Sequence, residues 1–480
     1  MSWQAQHSTA LLLGIVTLVA LIPILIAARR AHTFGDWDLT STYVFAVGVT
    51  GTLPVALLIA RSGQPERLDL RGNIVVAIPG WVSLAGHSLE ALLAAVSLAF
   101  LVTRLLRGAQ PNFAPCIAIV LVTALAFSDG LNGRQVFGSQ QLVLIAVLLA
   151  ATVARPGRSA FLGAAACSLL LAVLSGIEAL VRSSSVLHEC REDKCGVFGV
   201  LFRGVFTNEN TFGLLMALSI PFVWLALRGR ARVVICFYIA FMSVATGSRT
   251  AAVAAAVALF FLVLLRPSLP DDKNIDSGSG TPDIDHDSDE KPTGKIILAA
   301  FGITGVTLIG LALPLMPHDQ RSIPQRAYLW ELAQERLPQS PLFGFGAKAW
   351  QQFHSDGEAP VSFSAHNQWI DTAYAGGLIG LGLLATLIGY ILLRGGARMF
   401  LIASCVLAPI LMASATEVPW AFSGYNWLSF ILVAALLMPV PARRRAGPAP
   451  RARTHGSSNA GQPPATSPVQ HQSRAGSSTR

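Results

Sequence analysis

Charge is scarce in this chain. Only 13% of its 480 residues are Asp, Glu, Lys or Arg, whereas a soluble domain carries about a quarter. That shortfall excludes an ordinary water-facing globule of this length. No basic stretch is interleaved with aromatics, as a base-stacking surface requires. The net charge of +9 therefore does not point to a nucleic-acid partner. No His, Cys and Asp cluster has metal-ligand spacing in the loops. His354, Asp356 and Glu358 alternate, which reads as a solvated loop in preference to a weak metal site, so no metal and no cofactor is expected. No basic segment precedes the first apolar run and no small-residue cleavage site follows it, so 9–28 reads as a membrane helix and not as a cleaved leader. There are six cysteines. Cys116, Cys167, Cys236 and Cys405 lie in apolar runs and read as packing residues.

What is abundant is apolar length. Hydrophobic residues make up 53% of the chain and the mean hydropathy is +0.56. Runs such as Ala10–Ala28, Ile296–Leu315 and Leu378–Leu393 can cross a hydrocarbon core about 30 Å thick at about 1.5 Å per residue. Apolar spans fall near 9–28, 41–60, 74–103, 114–127, 140–154, 160–180, 210–227, 231–246, 250–266, 296–315, 367–393, 397–413 and 426–440. The stretch 74–103 holds Pro79, His87 and Glu90 and reads as one long helix or a tight pair. The fold class is an all-α polytopic transmembrane bundle of about 12–14 spans.

Arginines sort the loops. Arg104 and Arg107, Arg155 and Arg158, Arg228, Arg230 and Arg232, Arg266, Arg394 and Arg398, and Arg443 to Arg445 all flank span ends. If these ends are cytoplasmic, as the positive-inside rule expects, then 128–139, 181–209, 247–249, 316–366 and 414–425 face outward. The side of the N-terminus stays open. The acidic segment 268–295 falls inside and the Pro/Ala/Gly/Ser/Arg tail 441–480 follows the last span. Both lack the large apolar residues needed to build a core and are expected to be disordered. The organisation expected is an N-terminal membrane region 1–195, a central region 196–393 containing loop 316–366, spans over 394–440, and the basic tail.

The chemistry concentrates in the outward loops. One ends in Arg203-Gly-Val-Phe-Thr-Asn-Glu-Asn210, with Asn208 inside it. A turn holds Thr246-Gly-Ser-Arg-Thr250, hence Arg249. Loop 316–366 carries Arg326, Trp330, Ser340-Pro-Leu-Phe-Gly-Phe-Gly346 and, where the next span opens, His366-Asn367. One arginine at a helix end ordinarily snorkels, and one glycine pair is ordinarily a turn. Here several arginines and a histidine from separate loops converge on one face. The guanidinium fork binds phosphate oxygens bidentately, helix N-termini favour anions, and histidine takes a proton near neutral pH. A pyrophosphate-linked lipid donor needs that set. Cys190 and Cys195 flank Arg191-Glu-Asp-Lys194 in an outward loop. A disulfide is expected there, against two free thiols or an incomplete metal pair.

These residues resemble the O-antigen ligase and polymerase superfamily of bacterial membrane proteins over roughly 196–393. The pattern comprises Arg203 to Asn210, Ser248-Arg-Thr250, Arg326 with Trp330, Ser340 to Gly346, His366-Asn367 and Gly377-Leu-Ile-Gly380. The family often has proline between the two asparagines where this chain has Glu209, which sets a negative charge beside the diphosphate site. The resemblance implies a C-type glycosyltransferase-like helical fold in the bacterial plasma membrane. It implies metal-independent transfer of a glycan, with inversion, from undecaprenyl diphosphate to an acceptor hydroxyl on a glycan or lipid, at the extracytoplasmic face. Arg203 and Arg326 would hold the diphosphate, with Arg249 in support, and His366 would position or deprotonate the acceptor. Asn208, Asn210, Trp330 and Asn367 would support them. No D-x-D nucleotide-sugar motif stands in an outward loop, which fits a lipid-linked donor.

A polymerase joining repeat units would use the same donor and the same side. A transporter or flippase would instead place charge at the bilayer midplane and show repeat symmetry. Here only Glu90 and Glu178 are placed for that. A non-catalytic scaffold would not need the Arg, Trp and His of the large loop.

Overall fold

The computed structural model describes residues 3–62, 66–68, 74–76, 79–191, 194–269, 293–317, 324–357 and 364–439. Most of the acidic segment and all of the 441–480 tail lie outside the described residues.

Apolar runs in hydrocarbon must satisfy every backbone group internally, and the helix does so within one segment. Among the described residues, nine helices are long and apolar enough to cross a membrane, and three shorter apolar helices accompany them, Ser139–Val153, Ala231–Ala245 and Arg249–Leu265. These twelve stand at the lower end of the sequence expectation. Two particulars explain the difference. The 74–103 stretch is a single helix, Gly80–Leu106. It starts late because the β-branched run Ile74–Val76 pairs with Glu66–Leu68 as an antiparallel ribbon, and Pro79 occupies the N-cap position. The 426–440 stretch holds only an eight-residue helix, Ser429–Leu436. Asn426 diverts the chain into a turn first, its Oδ1 accepting from Leu428 N at 2.9 Å.

Gly80–Leu106 is one continuous helix, so its two ends lie on opposite faces of the bundle. The loops gather on two faces, each joined by contacts between loops. On one face, Asp36 accepts from Arg228, Arg394 donates to Asn112 Oδ1 at 3.1 Å, Gly157 N donates to Leu437 O at 2.8 Å, and Arg398 donates to Ser268 O. The arginine-rich ends therefore meet one another. On the other face lie the N-terminus and the five loops that the arginines had excluded. There, Lys348 donates to Gln135 O at 2.8 Å, and Thr250 and Thr416 share a 2.8 Å hydrogen bond. Glu178, a midspan charge by sequence, sits in the last turn of Arg158–Val181 on this second face.

The large loop is not loose chain. It holds the helices Pro324–Arg336 and Ala349–Ser355 around its own small core. Leu329, Trp330, Ala333, Ala349, Trp350, Phe353 and Ala365 pack there with Tyr374 of the following span.

Candidate active site

The two glycine motifs of the sequence are halves of one device. The helix Gln368–Leu393 breaks at Gly377, with φ 60° and ψ −156°. The Pro341–Gly346 loop lies in the break and takes over its hydrogen bonds. Phe345 N and Gly346 N donate to Tyr374 O and Ala375 O, each at 2.8 Å, and Leu378 N donates to Pro341 O at 2.8 Å. The approach is so close that a Cβ on Gly377 would lie 2.4 Å from Leu342 O, and one on Gly344 2.5 Å from Tyr374 O. Irregular backbone at membrane depth is tolerated only when protein re-satisfies it in this way. The motif pair thus fixes where the first turns of this helix point.

Those turns carry His366. Asn367, fully buried, caps the helix. Its Oδ1 accepts from Trp369 N at 2.9 Å and Ile370 N at 3.0 Å, and its Nδ2 donates to Gly310 O and Ala415 O at 3.0 and 2.9 Å. The cap is therefore Asn367, and His366 is left for other work. His366 has φ +52°, a left-handed conformation that costs a non-glycine residue on the order of 1 kcal/mol and that clusters at functional sites. Its neighbour is held from behind, since the indole of buried Trp330 donates to Ala365 O at 2.7 Å.

His366 Nδ1 lies 3.1 Å from Glu417 Oε2, and Arg326 Nη2 lies 2.7 Å from Glu417 Oε1. Burial would raise the Glu417 carboxyl, but the His366 hydrogen bond and the Arg326 charge prevail and hold it below the ordinary glutamate range. An ionised carboxylate accepts, so Nδ1 donates, and in the neutral imidazole this leaves the lone pair on Nε2. A depressed carboxyl pKa keeps this contact in place above the unfolded value of about 4.3. The contribution fades only as pH falls through the lower folded value.

Arg203 extends a small ribbon in which Leu187–His188 pairs with Leu201–Phe202; its amide donates to Val186 O at 2.9 Å. Its Nε lies 3.7 Å from Glu209, which also receives Arg191 at 3.0 Å and Lys194 at 2.9 Å. The negative charge that distinguishes this chain from the family pattern is therefore buried and offset by three cations. Lys194 pays for this arrangement in its own titration, since burial lowers its ammonium below the ordinary lysine value against the opposing pull of Glu209. A disulfide joins Cys190 and Cys195 across the turn in which Arg191 and Lys194 exchange backbone hydrogen bonds of 2.9 and 3.2 Å. The bridge closes the cationic turn over Glu209.

Asn208, rather than Asn210, caps the next span, its Oδ1 accepting from Asn210 N at 2.7 Å. Asn210 Oδ1 accepts from Lys194 at 2.5 Å. Asn208, Asn210, His366 and Glu417 line one cavity of about 410 Å³. Arg326 stands behind this wall through Glu417, and Arg203 pairs with Glu209, which lies between the two lining asparagines in sequence. Arg249 is exposed at the start of its helix, one residue from Thr250, which bonds the neighbour of Glu417. Among the described residues no group of three or more His, Cys, Asp or Glu is placed to hold a metal ion. Glu417 was missed from sequence. It stands in a short loop outside every motif, and the only available signal was a lone acid after an apolar span.

Residues 233–385 match the family model described as O-antigen ligase. No curated protein and no solved structure matches the chain. The match covers the Ser248-Arg-Thr turn, the large loop and the broken helix as far as residue 385, and so contains Arg326, His366 and both glycine motifs. This chain is a polytopic membrane protein whose central residues 233–385 are similar to the O-antigen ligase family.

Proposed function

We propose that this protein moves a glycan from undecaprenyl diphosphate to an acceptor hydroxyl at the extracytoplasmic face of the bacterial plasma membrane. The observation that carries this reading is His366, held by Glu417 at the wall of a cavity shared with the capped start of Glu209–Ala226. A base oriented by a third group is the usual arrangement for activating a hydroxyl. The acceptor oxygen attacks the anomeric carbon and gives its proton to His366 Nε2. The bond from that carbon to the diphosphate oxygen breaks, and undecaprenyl diphosphate leaves with the electron pair. Arg326 and Arg203, with Arg249 in support, stabilise the charge that grows on the diphosphate. Asn208 and Asn210 shape the cavity, and Trp330 and Asn367 hold the His366 segment.

Purified protein should transfer glycan from a lipid-diphosphate donor. Deleting the gene should change envelope glycans in one of two ways. Accumulated lipid-linked polymer marks a ligase, and accumulated single repeat units mark a polymerase. An unchanged profile, together with no transfer in vitro, removes the reading.

Two expectations follow from the same proposal. Arginines supply the positive charge, so turnover should survive EDTA. Loss with chelator, restored by one divalent ion, would contradict this. The compartment rests on the arginine-rich face being cytoplasmic. In a background without reactive native thiols, Ser355→Cys should react with an impermeant thiol reagent in intact cells and Ser277→Cys should not. The reverse labelling would invert the orientation.

A further inference from the structure

The left-handed backbone of His366, with φ +52°, needs support from both sides, because a non-glycine residue keeps such a conformation only where its surroundings over-determine it. On the C-terminal side the support is the cap of Gln368–Leu393. The first four amides of that helix are all taken. Gln368 N donates to Ser414 O at 3.0 Å, Trp369 N and Ile370 N donate to Asn367 Oδ1, and Asp371 N donates to Asn367 O at 2.9 Å. An acid in the first turn ordinarily serves the helix dipole or caps these amides. Asp371 is the acid of this turn, yet the amides are partnered without its side chain. Its carboxylate reaches backwards instead. Oδ1 accepts from Ala365 N, ahead of the cap, at 3.4 Å, and from the Trp350 indole Nε1 at 3.1 Å.

Ala365 is thereby gripped at both backbone groups. Its carbonyl accepts from Trp330 on Pro324–Arg336 at 2.7 Å, and its amide donates to Asp371. Trp350 brings in the second helix of the large loop, Ala349–Ser355, and its ring lies 4.7 Å from that of Tyr374, one turn beyond Asp371. One carboxylate oxygen thus joins the span, the core of the large loop and the residue before His366. Asp371 lies between the His366-Asn367 and Gly377–Gly380 motifs and belongs to neither. It also lines the cavity that His366 lines. We infer that Asp371 is a positioning residue, which holds His366 in its left-handed conformation by anchoring Ala365 from the span while Trp350 steadies the carboxylate from the loop. Its consequence for transfer rests on the reading of His366 as the base; the anchoring itself does not.

Two measurements on the purified full chain test this. Hydrogen–deuterium exchange of segment 364–367 should quicken about tenfold or more in Asp371→Ala, the effect of losing a charge-assisted hydrogen bond, while amides beyond Ile370 keep their wild-type rates. In the transfer assay, turnover of Asp371→Ala should fall about ten- to a hundredfold, as a small misplacement of a reacting group does, with donor binding largely intact. In a His366→Ala background the same substitution should cost little more, which a merely structural role would not give. Asp371→Asn keeps Oδ1 in place and should stay within a few-fold of wild type. Asp371→Glu keeps the charge but moves the oxygen by a methylene, and should behave as Asp371→Ala does. Wild-type exchange at 364–367 in Asp371→Ala overturns the inference. So does an Asp371→Glu protein that matches or exceeds Asp371→Asn. If Asp371→Ala fails to fold, the Asn and Glu variants decide by the same exchange measurement. If wild type transfers no glycan, the proposed activity fails, and exchange alone decides the role of Asp371.

Discussion

Replacing His366 by alanine should lower glycan transfer by roughly 10²–10⁴-fold while leaving donor binding largely intact. The two readouts separate because His366 is assigned to the acceptor proton and not to the diphosphate. Protein yield should be near normal, for the structure gives the helix cap to Asn367 and the packing to Trp330. Glu417→Gln tests the same dyad from its other end. It keeps shape but removes the charge that fixes the tautomer and receives Arg326. A charge-assisted hydrogen bond contributes about 1.5–3 kcal/mol, so turnover should fall about ten- to a hundredfold. Because both residues act through one contact, His366→Ala combined with Glu417→Gln should cost little more than His366→Ala alone. Wild-type turnover in His366→Ala would end the base assignment. Full additivity in the double variant would show that Glu417 acts apart from His366.

How much of this was readable from the chain depends on whether the signal is local. Span positions are local: an apolar run reports itself, and arginines at its ends report its side. Contacts such as Arg228 with Asp36 and Arg394 with Asn112 are therefore the three-dimensional form of a pattern already visible in sequence. Arg203, Arg326 and His366 could likewise be singled out as candidates because each sits in a recurring local string. What could not be read is complementarity between distant strings. Nothing in Ser340 to Gly346 says that it fills a break at Gly377, since each glycine alone is compatible with a turn. Glu417 lies 51 residues from His366 in a loop with no pattern of its own. Glu209 looked like a liability beside an anionic ligand, and its three cationic partners appear only once the Cys190–Cys195 turn is folded over it. The start of Gly80–Leu106 was misjudged for a related reason: hydropathy cannot distinguish a β-branched ribbon strand from the first turn of a helix.

Arg326→Ala and Arg203→Ala should each reduce turnover about a hundredfold, the loss expected when one preorganised donor to developing negative charge is removed, on the order of 3 kcal/mol. Unlike His366→Ala, both should weaken donor binding, because the diphosphate is charged before the bond breaks as well as after. The arginines differ in their surroundings, and lysine substitutions expose the difference. Arg326 is bonded to Glu417, so Arg326→Lys keeps the positive charge but loses the fork that can serve the carboxylate and the substrate together. It should recover only part of the rate. Arg203 shares Glu209 with Arg191 and Lys194. The carboxylate therefore stays paired when Arg203 is replaced, folding should be unharmed, and the loss in Arg203→Ala reports the site alone. In Arg326→Ala, by contrast, Glu417 keeps His366 alone among its described ion-pair partners, so part of the loss is the dyad's. Adding Glu417→Gln to Arg326→Ala should then cost less than it does in wild type. Wild-type donor affinity and turnover in folded Arg203→Ala would remove that residue from the diphosphate site. The same result in Arg326→Ala would leave the arginine a brace for Glu417 and nothing more.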